Sequence, residues 1–421
     1  MMLRRVDGVW AITCDDQSFP DMDRVRARAK IELKEDGQPE PVPPGTPRRA
    51  ALYDLKGREP GSVFRLLTTE TYHNAAWLLN QLYLSLPRPD RKWAADCQTE
   101  NFNARLWEAQ LLASFREQGL RVTQPLESPD FRLENKAGEV AWVEAVTANP
   151  EERYEPVNAR ISLQPGETRE LFFGPAAVRF AKTIGSKLQR NYHELDHVRG
   201  LPFVLALADF QAPASMMWSR EALIGYLTGT GVSFGETGGV RAPMMEEVSH
   251  LMGPSAFPAG LFRDDVYSGL SAVIFSNACA LSKFNRVMIT RGAPNYHRRY
   301  VRYGKLFDRG LDVFKGVPFC LDVASEEYLS FWPSRHEPWC AELEVFHNPF
   351  AAHSFPVSLA PEATHWKWID DEWLCRPYYE TSILWSGALV MPLDDEMPTY
   401  ETVPDYLFES ARRRAAKAET D

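Results

Sequence analysis

Three carboxylates between Asn101 and Pro150 occupy places where a carboxylate is costly. At about 100° per residue, Glu108 falls inside the apolar stripe formed by Ala104, Leu111, Leu112 and Phe115. Glu144 stands in the middle of the hydrophobic run WVEAV, and Asp130 follows Pro129 at a chain corner. A carboxylate on a buried face costs several kcal/mol unless a partner compensates it. Three hard oxygen ligands that converge would suit Mg²⁺, which can generate a hydrolytic nucleophile from water. Each acid also has a plainer role open to it. Glu108 can pair with Arg105 one helical turn earlier, Pro-Asp is an ordinary turn dipeptide, and Glu144 requires only some satisfying partner.

The elements that must position these acids follow from periodicity. A helix is expected over Ala104–Gln118, closed by Gly119, then a short strand at Leu120–Thr123 and the Pro129-Asp130 corner. A strand over Val140–Val146 places Trp142, Glu144 and Val146 on one face and Val143, Ala145 and Thr147 on the other. An insertion from Asn149 to Gly174 separates that strand from a helix expected over Ala176–Leu195. The apolar stripe of this helix is Ala177, Ala181, Ile184, Leu188 and Leu195. Lys187 lies about 80° from the stripe centre and Lys182 about 140° away, so Lys187 borders the buried side and Lys182 points to solvent. The apolar run Leu201–Phe210 reads as a strand buried on both faces, completing a strand–helix–strand crossover.

A helix glutamate, a Pro-Asp corner and a strand glutamate in this order resemble the core of the PD-(D/E)XK nuclease superfamily, over about Asn101–Phe210. The resemblance implies an α/β fold with a restriction-endonuclease-like mixed central sheet flanked by helices. Residues 1–95 would be an N-terminal extension and helical scaffold, 96–215 the nuclease core, and 216–421 a C-terminal α/β extension able to continue the sheet. It implies a metal-dependent phosphodiesterase acting on DNA in bacterial restriction, repair or phage defence. Asp130 and Glu144 would hold Mg²⁺ or Mn²⁺, with Glu108 binding directly or through water. The family pattern places a lysine two residues after the strand acid, and here that residue is Val146. Some members carry the lysine on the following helix, which makes Lys187 the substitute, with Tyr192 beside it as an assistant. Double-strand cutting would call for a homodimer, and a defence system for a partner protein. The missing strand lysine equally fits a decayed nuclease core that binds nucleic acid or protein without turnover. Net acidity and the Trp-rich C-terminal third fit a third class, a structural or partner-binding protein.

Composition bounds these readings. The 421 residues suffice for two domains or one α/β domain with large additions, and 44% hydrophobic content with 12 tryptophans describes a well-cored globular chain. The six cysteines form no CxxC pair, which argues against a zinc module and, in so large a chain, against a disulfide framework. Reduced thiols, no apolar N-terminal leader and no run of about 18 apolar residues point to a cytoplasmic protein. A net charge of −10 excludes a general nucleic-acid-coating surface but allows a local, salt-sensitive basic groove. The segment Asn295–Lys305, NYHRRYVRYGK, offers one: Arg298, Arg299, Arg302 and Lys305 interleave with tyrosines that can stack on bases. A solvated basic strand accounts for it equally.

Elsewhere GVWAIT and RAKIEL read as short strands, Ser62–Leu86 as one helix, and the Gly- and Pro-studded Gly229–Gly260 as a long loop. Ser219–Leu227 reads as a helix and Ser268–Cys279 as a further sheet strand. Glu337–Pro349 reads as a strand and turn in which Glu342 and Glu344 face away from His347, a poor chelate and therefore structural. THWKWIDDEW is an aromatic, acidic surface or core segment, and the tail from Pro404 is a short basic helix. No Ser/His/Asp or Cys/His constellation is present to direct covalent catalysis.

Overall fold

The computed structural model describes residues 2–6, 9–14, 21–34, 49–151, 167–237, 240–253, 257–295, 298–308 and 316–418. Short apolar runs bounded by turn residues assemble into one eight-stranded mixed sheet. Its strands are β1 (Arg121–Thr123), β2 (Phe131–Glu134), β3 (Val140–Ala148), β4 (Phe203–Asp209), β5 (Ala272–Ser276), β6 (Glu344–His347), β7 (Thr364–Ile369) and β8 (Glu372–Arg376). They lie side by side in the order in which the chain makes them. The β3–β4, β4–β5 and β6–β7 pairs are parallel, and the other four neighbouring pairs are antiparallel.

Strand β4 shows why the sheet sits in the middle of the molecule. All seven of its residues are buried. Val204, Ala206 and Ala208 enter one apolar core, while Phe203, Leu205 and Leu207 enter the other. A strand with no polar face must be covered on both sides, as the sequence run predicts. Helices α1 (His73–Ser85), α2 (Phe102–Glu117) and α5 (Leu281–Thr290) supply the first cover, and α3 (Pro175–Leu188) and α4 (Arg220–Thr228) the second. Trp107 of α2 locks its helix to the sheet by donating Nε1–H to the Ala206 carbonyl at 2.8 Å. The core order is therefore α2-β1-β2-β3-α3-β4, with β5–β8 extending the sheet beyond residue 216.

A separate three-stranded antiparallel sheet has Arg298–Asp308 at its centre, between Val317–Asp322 and Thr381–Pro392. Three sequence expectations need correction. RAKIEL lies within the helix Met22–Lys34. Ser62–Leu86 is two helices, Ser62–Leu67 and α1, divided at a short Glu70–Tyr72 turn. The Gly229–Gly260 excursion is largely a hairpin, Thr230–Thr237 with Val240–Glu247, whose glycines and proline hide the strand pattern. THWKWIDDEW becomes the β7–β8 hairpin. Asp370 and Asp371 take φ of 51° and 62°, the left-handed pair that a tight primed turn requires. Among the described residues no helix is long and apolar enough to cross a membrane.

Candidate functional site

The site exists because β3 is longer than β2. Their ladder ends at the Phe131–Val143 pair, so the last residues of β3 run on without that neighbour. Asp130, immediately before β2, takes over: its Oδ2 accepts the Ala145 N–H at 2.7 Å. The bond satisfies a backbone donor that the missing strand leaves open and fixes the carboxylate beside β3. Glu144 is 5% exposed on the face covered by α3. Its Oε1 accepts from Lys187 Nζ at 2.7 Å and from the Tyr192 hydroxyl at 2.8 Å. Its Oε2 is buried and has no hydrogen-bond partner. Lys187 and Tyr192, both singled out in the sequence, thus meet the strand acid.

Glu108 comes from α2 and is held differently. Arg105 Nη1 donates to its Oε1 and Trp93 Nε1 to its Oε2, each at 2.7 Å. Arg105 also bonds Asp96 at 2.5 Å and approaches Asp90 at 3.4 Å. Burial raises the Glu108 carboxyl against the opposing pull of Arg105 and Trp93. Asp130 is pushed well above the usual carboxyl range, first by burial, then by the Glu144 and Glu108 charges. The Tyr192 hydroxyl is pushed up to about 12, by burial first and the Glu144 charge second. The three acids share one electrostatic neighbourhood and compete within it.

A cavity of about 400 Å³ opens here, walled by Glu108 and Trp107 of α2, Ala145–Thr147 of β3, and Arg179, Lys182 and Lys187 of α3. Glu144 meets this wall through Lys187, and Asp130 through Ala145. Among the described residues no group of three or more His, Cys, Asp or Glu side chains is placed to hold a metal. Both Glu108 oxygens are engaged by Arg105 and Trp93. Asp130 and Glu144 remain, and they fit a Mg²⁺-like ion, which uses one or two carboxylates with water and phosphate oxygens. The unpartnered Glu144 Oε2 and the mutual repulsion at Asp130 are the observations behind that fit.

The basic segment fares worse. Arg302 is fully buried, donating to Ser386 Oγ at 2.9 Å and to the Tyr328 hydroxyl at 3.1 Å and pairing with Glu342, so it has no access to a phosphate. Arg299 is engaged with the Leu393 and Asp395 carbonyls and lies 3.4 Å from Asp322. The Tyr300 ring is buried and unavailable for stacking. Residues 296 and 297 lie outside the described residues. Arg298 and Lys305 remain as half-buried cations on the central strand of the small sheet. Glu342, Glu344 and His347 are structural, as alternation implied. Glu344 takes the Arg220 fork at 2.5 and 2.8 Å, and His347 faces His365 at 2.8 Å.

Comparisons with protein-family models, curated proteins and solved structures find no match for this chain. Trp93 and Arg179 escaped the sequence reading. Neither breaks an apolar pattern, and only the folded arrangement brings Trp93 to Glu108 or Arg179 to the cavity. Lys182, read as solvent-facing, is half-exposed yet lines the cavity, because the opening reaches past the apolar stripe of α3.

Proposed function

We propose that the protein is a metal-dependent phosphodiesterase acting on DNA, with a restriction-endonuclease-like core and a site at Asp130, Glu144 and Lys187. The observation that carries the reading is the Lys187–Glu144 pair at 2.7 Å beside the buried, unpartnered Glu144 Oε2. It supports reading the helix-borne Lys187 as the substitute for the absent strand lysine. The α2-β1-β2-β3-α3-β4 order supports the same reading. Asp130 and Glu144 would hold Mg²⁺ or Mn²⁺, which would lower the pKa of a bound water and offset charge on the scissile phosphate. The Ala145 amide fixes Asp130, and Tyr192 fixes Glu144 Oε1. The Lys187 ammonium, on the cavity wall, would offset the charge that develops on the phosphate. Glu108, clamped by Arg105 and Trp93, adds negative potential beside Asp130 and strengthens its demand for a cation. A cytoplasmic setting in restriction, repair or phage defence belongs to this proposal, as does a homodimer or a defence-system partner.

A second reading has its own observation. Lys187 and Tyr192 already occupy Glu144 Oε1, and no three-acid group is placed for a metal among the described residues. A core that binds nucleic acid without cutting it would look the same. Incubation of plasmid and single-stranded DNA with Mg²⁺ or Mn²⁺ separates the two. Cleavage by the wild type that disappears in Glu144→Ala supports the nuclease. Metal-independent binding with no cleavage on either substrate supports the decayed core.

A further inference from the structure

The α3 wall of the cavity carries more positive charge than the chemistry at Glu144 uses. Arg179, Lys182 and Lys187 line one side of the opening, with the Thr183 and Ser186 hydroxyls between them. Lys187 pairs with Glu144. Arg179 and Lys182 instead face Glu151, which follows β3 by a few residues. Lys182 Nζ lies 2.7 Å from Glu151 Oε1, and Arg179 Nη1 lies 3.9 Å from the same oxygen. The Lys182 contact holds the Glu151 carboxyl below its ordinary range. Arg179 Nε is buried and has no hydrogen-bond partner.

We propose that Arg179 and Lys182 form a phosphate subsite of the cavity, and that Glu151 fills it as an internal anion until a nucleic-acid backbone displaces it. The inference rests on the reading of the cavity as a phosphodiester site. It adds the contact that would hold the phosphate next to the scissile one. Lys182 and Lys187 stand five residues apart on α3, about 7.5 Å along the axis and about 140° around it, and both line the opening. The Glu151 side chain is 62% exposed and Lys182 45% exposed, so their pair is weak and exchanges readily. A phosphate offers more acceptor oxygens than one carboxylate and can engage both cations, including the idle Arg179 Nε.

The test measures the affinity of the full-length protein for a fluorescently labelled single-stranded DNA oligonucleotide in EDTA, across a salt series. The Arg179→Ala/Lys182→Ala pair is expected to weaken binding about tenfold and to lower the log–log salt slope by about 1.4, two contacts at about 0.7 each. Glu151→Gln is expected to tighten binding several-fold. The charge-preserving pair Arg179→Lys/Lys182→Arg is expected to keep the wild-type slope, which separates lost contacts from a damaged fold. Unchanged affinity and slope in the alanine pair, or no binding by the wild type, overturns the subsite. Binding is read without metal, so these results stand apart from the cleavage assay. A subsite without cleavage overturns only the nuclease, and cleavage with an unmoved slope overturns only the subsite.

Discussion

Beneath β5 and the small sheet, three cations, Lys283, Arg286 and Arg302, surround two carboxylates, Glu337 and Glu342, away from water. Around Glu144 the balance is reversed: Glu108, Asp130 and Glu144 meet Arg105 and Lys187. The Lys283 cluster resolves its excess internally. Lys283 donates to Glu342 and to the Pro338 carbonyl, Arg286 forks onto Glu337, and Tyr328 donates to Glu337 at 2.7 Å. Burial pulls the Lys283 amine down to about 8. Around Glu144 burial and like charge raise the Asp130 carboxyl, one Glu144 oxygen is left without a hydrogen-bond partner, and Glu108 and Lys187 line an open cavity. One cluster is closed by its own pairing, whereas the other leaves a buried polar atom unpaired near an opening.

The contrast can be broken in order of effect. Arg302→Ala leaves Glu342 with Lys283 alone, empties the space of a fully buried side chain and orphans the Tyr328 and Ser386 contacts, and is expected to cost about 3–5 kcal/mol of stability, read by urea unfolding. A loss below about 1 kcal/mol would show that the cluster is not closed. Glu144→Gln keeps the side-chain shape but removes the charge. It is expected to lower metal-dependent cleavage by about 10²-fold or more while leaving the urea midpoint near wild type. A variant that unfolds without a selective loss of rate would place Glu144 with the structural acids. Trp93→Phe removes a neutral donor from a buried carboxylate and is expected to cost about 1.5–3 kcal/mol, read in the same unfolding experiment.

The finest test uses pH. Burial and two neighbouring carboxylates raise Asp130, so the folded chain holds this proton more tightly than the unfolded chain does. That contribution is full below the unfolded value, about 4, and is lost as pH rises through the folded value. Asp130→Asn is therefore expected to melt above the wild type at pH 8, with the gap closing near about pH 4, in scanning calorimetry. Adding Mg²⁺ at pH 8 is expected to raise the wild-type melting temperature and to leave Asp130→Asn unmoved. Equal responses to Mg²⁺ would detach Asp130 from metal binding.

Much of the site's frame was legible because it rests on local periodicity. The expected helix over Ala104–Gln118 is observed as Phe102–Glu117, and the strand Val140–Val146 as Val140–Ala148. The helix bearing Lys187 ends at Leu188, seven residues before its expected close at Leu195. Tyr192 belongs to a separate short turn, Tyr192–Glu194, that still delivers it to Glu144. Carboxylates inside apolar patterns announced Glu108 and Glu144, since burial makes such residues expensive. The partners were hidden because pairing is a long-range property: Trp93 meets Glu108 only after two helices pack. Arg302 misled for the opposite reason. A run of arginines and tyrosines reads as surface, and composition does not show that a whole ion cluster will be folded over it.

Because the eight strands stand in space in the order of the chain, the large sheet can be assembled from one edge as synthesis proceeds. Trp93, Arg105, Glu108, Asp130, Glu144, Lys187 and Tyr192 all precede β4, so every residue of the cavity chemistry is translated by the time Asp209 is added. Strand β5, which covers the far edge of β4, and the small sheet come from the half of the chain still to be made. A ribosome carrying this protein would hold the complete set of site residues before the sheet is closed.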